Sequence, residues 1–225
     1  MVAGGRGVRA GAAEGAEPKQ FRPIRGVRML CRAIAPFAAH PRVGPIVVVL
    51  PPEHAAQPPA WVFDSAPGRV IVAAGGETRQ ESVASGLGAL PAGPTQVLVH
   101  DAARPFVDAA LIDRVLAVAD LGAVAVPGLP LADTVKETDA AGLVARTVPR
   151  ERMVVVQTPQ GFPRSTLETA HQRSRGEALA TDDAALCERL GTAVRVVAGS
   201  SRNIKVTTPE DFAVAEALAA LAGDV

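Results

Sequence analysis

Five short segments of the chain carry residue types suited to handling a polyanion. The loop Ala3-Gly4-Gly5-Arg6-Gly7-Val8-Arg9 packs three glycines and two arginines into seven residues. Bare backbone N–H groups there can approach a polyphosphate while guanidinium groups neutralise it; the same composition also describes a solvated terminal segment. Pro18-Lys19-Gln20 sets a lysine on a turn, as a second cation for that loop or as a surface charge. Gly75-Gly76-Glu77-Thr78-Arg79 separates a strand-like run from a helix containing Ser82. Open α/β sheets bind ligands at such a place, and a turn with a helix cap would read the same way. His100-Asp101-Ala102-Ala103-Arg104-Pro105 brings an acid and a base out of the end of a buried strand, so Asp101 can hold Mg²⁺ or pair with Arg104 across the turn. Asn203-Ile204-Lys205-Val206-Thr207 places Lys205 ahead of the helix start Thr208-Pro209-Glu210-Asp211, as a site cation or a strand-edge lysine facing water.

Loops of this kind need a rigid frame. The 225 residues suit one large α/β domain, 1–225, and the 48% hydrophobic but 3% aromatic composition builds its core from Ala, Val, Leu and Ile on packed layers. Lys plus Arg balance Asp plus Glu at 23 each, so no overall field draws the chain to nucleic acid or to a membrane, and any anion site is local. Cys31 and Cys187 match neither a disulfide framework nor a metal-ligand spacing, which suits a reducing cytoplasm. No apolar run reaches the ~20 residues of a spanning helix, and no secretory signal pattern opens the chain, so a soluble cytoplasmic protein is expected.

Helical spacing covers Val27–His40, and continuous β-branched runs at Ile46–Leu50, Arg69–Ala73 and Gln96–His100 predict strands covered on both faces. Helices at Glu81–Leu90 and Leu111–Ala119 and a strand at Gly122–Val126 continue the alternation that parallel βαβ units require. Asp133–Val148 changes to short alternating runs around the turn Asp139–Gly142, a hairpin. Ser165–Arg173, Asp182–Leu190 and Pro209–Leu221 read as helices and Ala193–Val197 as a strand.

In this order, and with Asp133-Thr134-Val135-Lys136, Thr158-Pro159-Gln160 and Thr181-Asp182-Asp183 between them, the motifs resemble those of the 2-C-methyl-D-erythritol 4-phosphate cytidylyltransferases of the non-mevalonate isoprenoid pathway. The resemblance covers nearly the whole chain. It implies a Rossmann-like, doubly wound, mostly parallel sheet of the nucleotide-diphospho-sugar transferase type, with a β-hairpin dimerisation arm at about 133–150. It implies transfer of CMP from CTP to methylerythritol phosphate with release of pyrophosphate, Mg²⁺ as cofactor, and a homodimer. Arg9 and Lys19 then match the basic pair on the triphosphate, and Lys205 the lysine that positions the sugar phosphate. Ala3, Gly4, Gly5 and Gly7 match the substrate-binding glycine loop. Gly75, Gly76, Glu77 and Ser82 fall where the family reads cytosine and holds ribose, Asp101 where it holds metal and sugar hydroxyls, with Arg104 and Thr158 continuing the substrate site. Thr134 and Arg150 would reach a neighbouring subunit's sugar phosphate. The alternatives are another acceptor, such as ribitol 5-phosphate, or a non-catalytic nucleotide-binding relative.

Two departures from the family pattern bear on the nucleotide side. Only Met1 and Val2 precede Ala3, so the first, central strand is expected to be nearly absent, and the stretch from Arg9 to Lys19 is a few residues longer than the pattern. A central strand bonds on both sides, and its loss predicts a gap between two ladders.

Overall fold

The computed structural model describes residues 1–4 and 17–221. A tight hairpin of β1 (Pro23–Ile24) and β2 (Val27–Arg28) leads into α1 (Met29–Ala39). The run Ile46–Leu50 forms β3, wholly buried, followed by α2 (Pro52–Ala56), α3 (Ala60–Asp64) and β4 (Val70–Ala74). Next come α4 (Arg79–Gly88), β5 (Gln96–Val99), α5 (Ala109–Ala119) and β6 (Val124–Pro130). After them lie β7 (Val135–Thr138), β8 (Val144–Val148), β9 (Val154–Val156) and β10 (Gln160–Pro163), and the chain closes with α6 (Arg164–Arg173), α7 (Asp183–Arg189), β11 (Val194–Ala198) and α8 (Pro209–Leu221).

The strands fall into two ladders. β3 pairs in parallel with β4, while β5, β10, β6 and β11 line up in the order β11-β6-β10-β5, with β9 on the far end of β6. Val2 joins the two, bridging Val49 of β3 and Asp101 just beyond β5, both in parallel. Five main-chain bonds make the joint: Val2 N–H to the His100 carbonyl at 2.8 Å, Ala102 N–H to Val2 at 3.0 Å, Ala3 N–H to Val49 at 2.9 Å, Val49 N–H to Met1 at 2.9 Å and the Met1 amino group to the Val47 carbonyl at 2.8 Å. Residues 1–3 therefore stand at the centre of a twisted sheet, holding it together over a single bridging residue. Toward the amino ends of β3 and β5, no strand lies between them among the described residues. That space is a cavity of about 340 Å³ lined by Phe37, Val47, Gly86, Leu87, Leu98 and Leu116, among others.

Helices cover both faces, as the continuous apolar strands require. Leu30 and Ile34 of α1 with Leu111 and Leu116 of α5 bury Val48 and Leu50 on one side. On the other, Val83 of α4, Leu167 of α6 and Leu186 of α7 pack on Val99, Val126 and Phe162. α8 closes over the β1–β2 hairpin through Phe212, Ala215, Ile24 and Met29. No helix among the described residues is long and apolar enough to cross a membrane.

Two features differ from a simple parallel alternation. β10 lies antiparallel between β5 and β6, and its Gln-Gly-Phe-Pro sequence hides it because Gly and Pro are poor strand residues. Gly161 is needed there: a Cβ would come within 2.5 Å of Val115 Cγ1, so glycine lets α5 settle onto the sheet. The expected hairpin is an antiparallel ribbon of β7 and β8, irregular at Glu137/Thr138 and almost entirely exposed.

An engineered extension of about four β-branched residues ahead of Met1, running parallel to β3 and β5, should fill the cavity and complete both ladders. Its melting temperature, followed by circular dichroism, should rise by several degrees. An extension interrupted by proline should give no rise, and equal midpoints for all three chains would show that the cavity does not accept a strand.

Candidate active site

The carboxyl ends of β3, β4, β5, β6 and β11 deliver their loops to one edge of the sheet, where open α/β folds bind ligands. Two glycine segments meet there. A Cβ on Gly4 would lie 3.2 Å from Ser82 Oγ, and one on Gly75 would lie 3.0 Å from the same oxygen and 3.2 Å from the Leu50 carbonyl. Glycine at both positions lets the two backbones pass closely over the start of α4 without displacing the Ser82 hydroxyl. Ser82, buried, accepts the Gly76 N–H at 3.2 Å and donates to the Thr78 carbonyl at 2.9 Å. Thr78 and Glu81 form a reciprocal capping box that fixes this turn and α4 together. Glu77 at its tip is exposed.

Beside the glycines lies a charged cluster centred on Asp101, which is only 8% exposed. Asp101 Oδ2 accepts Lys205 Nζ at 2.7 Å and Oδ1 accepts Arg79 Nε at 3.2 Å. Arg79 turns its Nη1 to Asp183 Oδ2 at 2.7 Å, and His171 Nε2 lies 2.9 Å from Asp183 Oδ1. Burial alone would raise the Asp101 pKa, but Arg79 and Lys205 together hold the carboxyl well below the usual carboxylate range. Asp101 is thus an anion at any working pH, paired with Arg79 and Lys205 and not with Arg104.

The loop carrying Asp101 is fastened from behind by a network of side-chain and backbone hydrogen bonds. His100, buried, donates from Nε2 to the Arg104 carbonyl at 3.0 Å, which leaves Nδ1 to accept the Thr158 hydroxyl at 3.0 Å. The same hydroxyl oxygen accepts the Asp101 N–H at 3.1 Å. Asn203 Nδ2 donates to the Thr158 carbonyl at 2.8 Å, and Arg104, buried, gives Nη1 to the Asn203 carbonyl at 2.8 Å. Val206 N–H bonds Ala103 at 2.8 Å and its carbonyl accepts Lys19 Nζ at 2.8 Å, while Gln20 Nε2 donates to the Ala3 carbonyl. Segments remote in sequence are thereby tied into one floor.

The structure brings Ala3, Gly4, Gly75, Gly76 and Ser82 into one corner and Asp101, Thr158, Arg104 and Lys205 into the next, with Lys19 anchored beside Lys205 through Val206. Gly5, Gly7 and Arg9 lie outside the described residues. Thr134 and Arg150 stand exposed at the foot of the β7–β8 ribbon, where Arg150 donates to the Ala132 carbonyl; no hydrogen bond or ion pair among the described residues joins either to Asp101. The sequence motifs include Arg79 and Asp183 without giving either a role of its own, and they leave His171 out. Arg79 and Asp183 are separated by 104 residues, and nothing in their spacing announces a pair.

Among the described residues no group of three or more His, Cys, Asp or Glu side chains could hold a metal alone. A single carboxylate does fit Mg²⁺ when phosphate oxygens and waters supply its other ligands, and each Asp101 oxygen keeps a second lone pair.

A twisted α/β sheet that collects glycine turns and cations at the carboxyl ends of its strands has the architecture of nucleotidyltransferases. The family model described as "IspD: 2-C-methyl-D-erythritol 4-phosphate cytidylyltransferase" matches residues 1–220, and the chain belongs to that family. The chain is similar to the bifunctional enzyme IspD/IspF of Nitratidesulfovibrio vulgaris, 46% identical over 224 residues that make up 96% of this chain and 56% of that protein. The chain spans about half the length of the curated relatives it matches. Among solved structures, the 2-C-methyl-D-erythritol 4-phosphate cytidylyltransferase of Thermus thermophilus superposes with a TM-score of 0.79 at 40% identity, covering 90% of this chain and 94% of its own. The 4-diphosphocytidyl-2C-methyl-D-erythritol synthase of Anaerococcus prevotii gives 0.82 at 26% identity, covering 96% and 94%.

The fastening behind Asp101 makes stability depend on pH. Burial pushes His100 down to about 4, against the opposing pull of the Arg104 carbonyl. The unfolded chain binds this proton from about pH 6.5 downward, so the contribution of neutral His100 is complete above that value and is lost as pH falls toward its folded pKa of about 4. Melting temperature should fall across this window, and His100→Gln should flatten that part of the profile. An unchanged slope in the variant would show that His100 does not set it.

Proposed function

We propose that the protein transfers CMP from CTP to 2-C-methyl-D-erythritol 4-phosphate, giving 4-diphosphocytidyl-2-C-methyl-D-erythritol and pyrophosphate in isoprenoid precursor synthesis. The observation that carries this reading is the Asp101–Lys205 pair, with Lys19 fastened beside it, at the sheet edge where the glycine corner of Gly4 and Gly75 opens. The attacking group is an oxygen of the acceptor phosphate, already anionic, so no side-chain nucleophile or general base is required. That oxygen forms a bond to the α-phosphorus of CTP while the bond from the α-phosphorus to its bridging oxygen breaks, and pyrophosphate leaves with the electron pair. The protein aligns two polyanions and spreads the charge of the transferred group.

In this reading the glycine corner, Glu77 and Ser82 hold the nucleoside, Arg9 and Lys19 face the triphosphate, and Lys205 positions the acceptor phosphate. Mg²⁺, held by Asp101, would neutralise phosphate charge. The β7–β8 ribbon packs against a second subunit and brings Thr134 and Arg150 to the partner's acceptor site; two strands alone are marginal and need such a surface. The two cysteines, both free, agree with a reducing cytoplasm.

Pyrophosphate release should require CTP, Mg²⁺ and methylerythritol phosphate, and ribitol 5-phosphate should serve poorly. Lys205→Ala, Lys19→Ala and Arg9→Ala should each lower kcat/KM by roughly 10²–10³-fold, the size of losing one charge-stabilising donor. A variant keeping the full rate removes that residue from the assignment, and CTP binding without pyrophosphate release removes the activity.

Mixing Arg150→Ala with Lys205→Ala, each inactive alone, should restore about a quarter of the parental activity, since half the dimers are mixed and each holds one intact site. No recovery would place the arm's residues outside the neighbouring site.

A further inference from the structure

The chain His171–Asp183–Arg79–Asp101–Lys205 runs from the buried interface of α6 and α7 to the site edge, and the mechanism uses only its last members. Asp183 is fully buried and stands at the first turn of α7, with both carboxylate oxygens engaged, by Arg79 and by His171. A buried carboxylate adds little stability over an apolar residue of similar size, since desolvation offsets the attraction. Its placement therefore calls for another explanation, and Arg79 supplies one. The Arg79 backbone is set by the Thr78–Glu81 capping box. Its side chain is a rigid fork with one limb on Asp183 and the other on Asp101. Asp183 thus decides where the Arg79 fork lies, the fork decides how the Asp101 carboxylate is turned, and that turn decides where Lys205 is met.

We propose that Asp183, acting through Arg79, is a positioning residue that orients the Asp101 carboxylate so that its Oδ2 holds Lys205 at the acceptor-phosphate position. The inference rests on the proposed reaction for the meaning of that position, but the geometric linkage can be read without turnover. His171, on the far oxygen of Asp183, completes the support. Groups that hold a reactive side chain from behind act by fractions of an ångström, and such misplacement costs far more in rate than in affinity.

The chain contains only Lys19, Lys136 and Lys205 as lysines, so ¹³C reductive methylation yields few ammonium signals, and Lys205→Met identifies one of them. In Asp183→Asn, and separately in Arg79→Lys, whose single ammonium cannot reach both acids, the Lys205 signal should move toward that of exposed Lys136 while that of Lys19 stays. The same variants should lose about tenfold or more in kcat, with KM for CTP within about twofold. A purely structural role would lower the melting temperature and leave both the Lys205 signal and kcat at assay temperature unchanged. An unmoved Lys205 signal in the folded variants overturns the linkage whatever the reaction is. A moved signal with unchanged kcat in an active enzyme overturns its catalytic relevance. Absence of turnover in the parent enzyme instead overturns the proposed reaction, and the Lys205 signal still decides the linkage.

Discussion

The site is organised by the desolvation of one carboxylate. Asp101 emerges at the end of a buried strand with little access to water, and a charge so placed must find partners in the protein. It draws Arg79 from the start of α4 and Lys205 from the loop before α8, elements with no sequence proximity to each other. The requirement reaches further back, because Arg79 needs Asp183 and the Asp101 backbone needs the Thr158 hydroxyl, itself held by His100 and Asn203. Lys205 is in this way held at a fixed place at the edge of the sheet.

The neutral and the charged halves of this arrangement have different tasks. His100, Thr158, Gln157 and Asn203 are buried and bond mainly to backbone or to each other, so they fix the course of the loops. Lys205 and Arg79 remain partly exposed and keep their charge where a ligand can meet it. Division of this kind is what preorganisation requires: rigid support behind, and cations in front that are held by carboxylates yet partly open to solvent.

Much of this was legible in the sequence where a single local rule decides. β3 could be read to its exact limits because five consecutive β-branched or aliphatic residues sit between prolines, and α8 because Pro209 opens it. The glycine turns and Asp101 could be placed at strand ends because their composition suits such turns, and the structure gathers Gly4, Gly75, Gly76 and Asp101 at that edge. β10 escaped because its glycine answers to Val115 on another element, and Arg79 escaped because its partners lie 22 and 104 residues away. Asp101 was open to pairing with Arg104 on spacing alone; burial of the Arg104 guanidinium against the Asn203 carbonyl settles that in favour of Arg79 and Lys205. Local pattern reports local constraint, and long-range charge pairing leaves no periodic trace.

The bridge at Val2 has a mechanical meaning. Residues 1–3 bond to β3 on one side and to the segment after β5 on the other, so the two ladders meet along a seam formed by these residues. The turn Gly75–Thr78 follows β4 on one side of the seam, and Asp101 and Lys205 follow β5 and β11 on the other. Any displacement along this line changes the gap between the glycine corner and Lys205. Arg79, rooted on the β4 side and clasping two acids on the β5 side, acts as a strap across the seam, so the same guanidinium that turns a carboxylate also limits how far the jaws of the site can part.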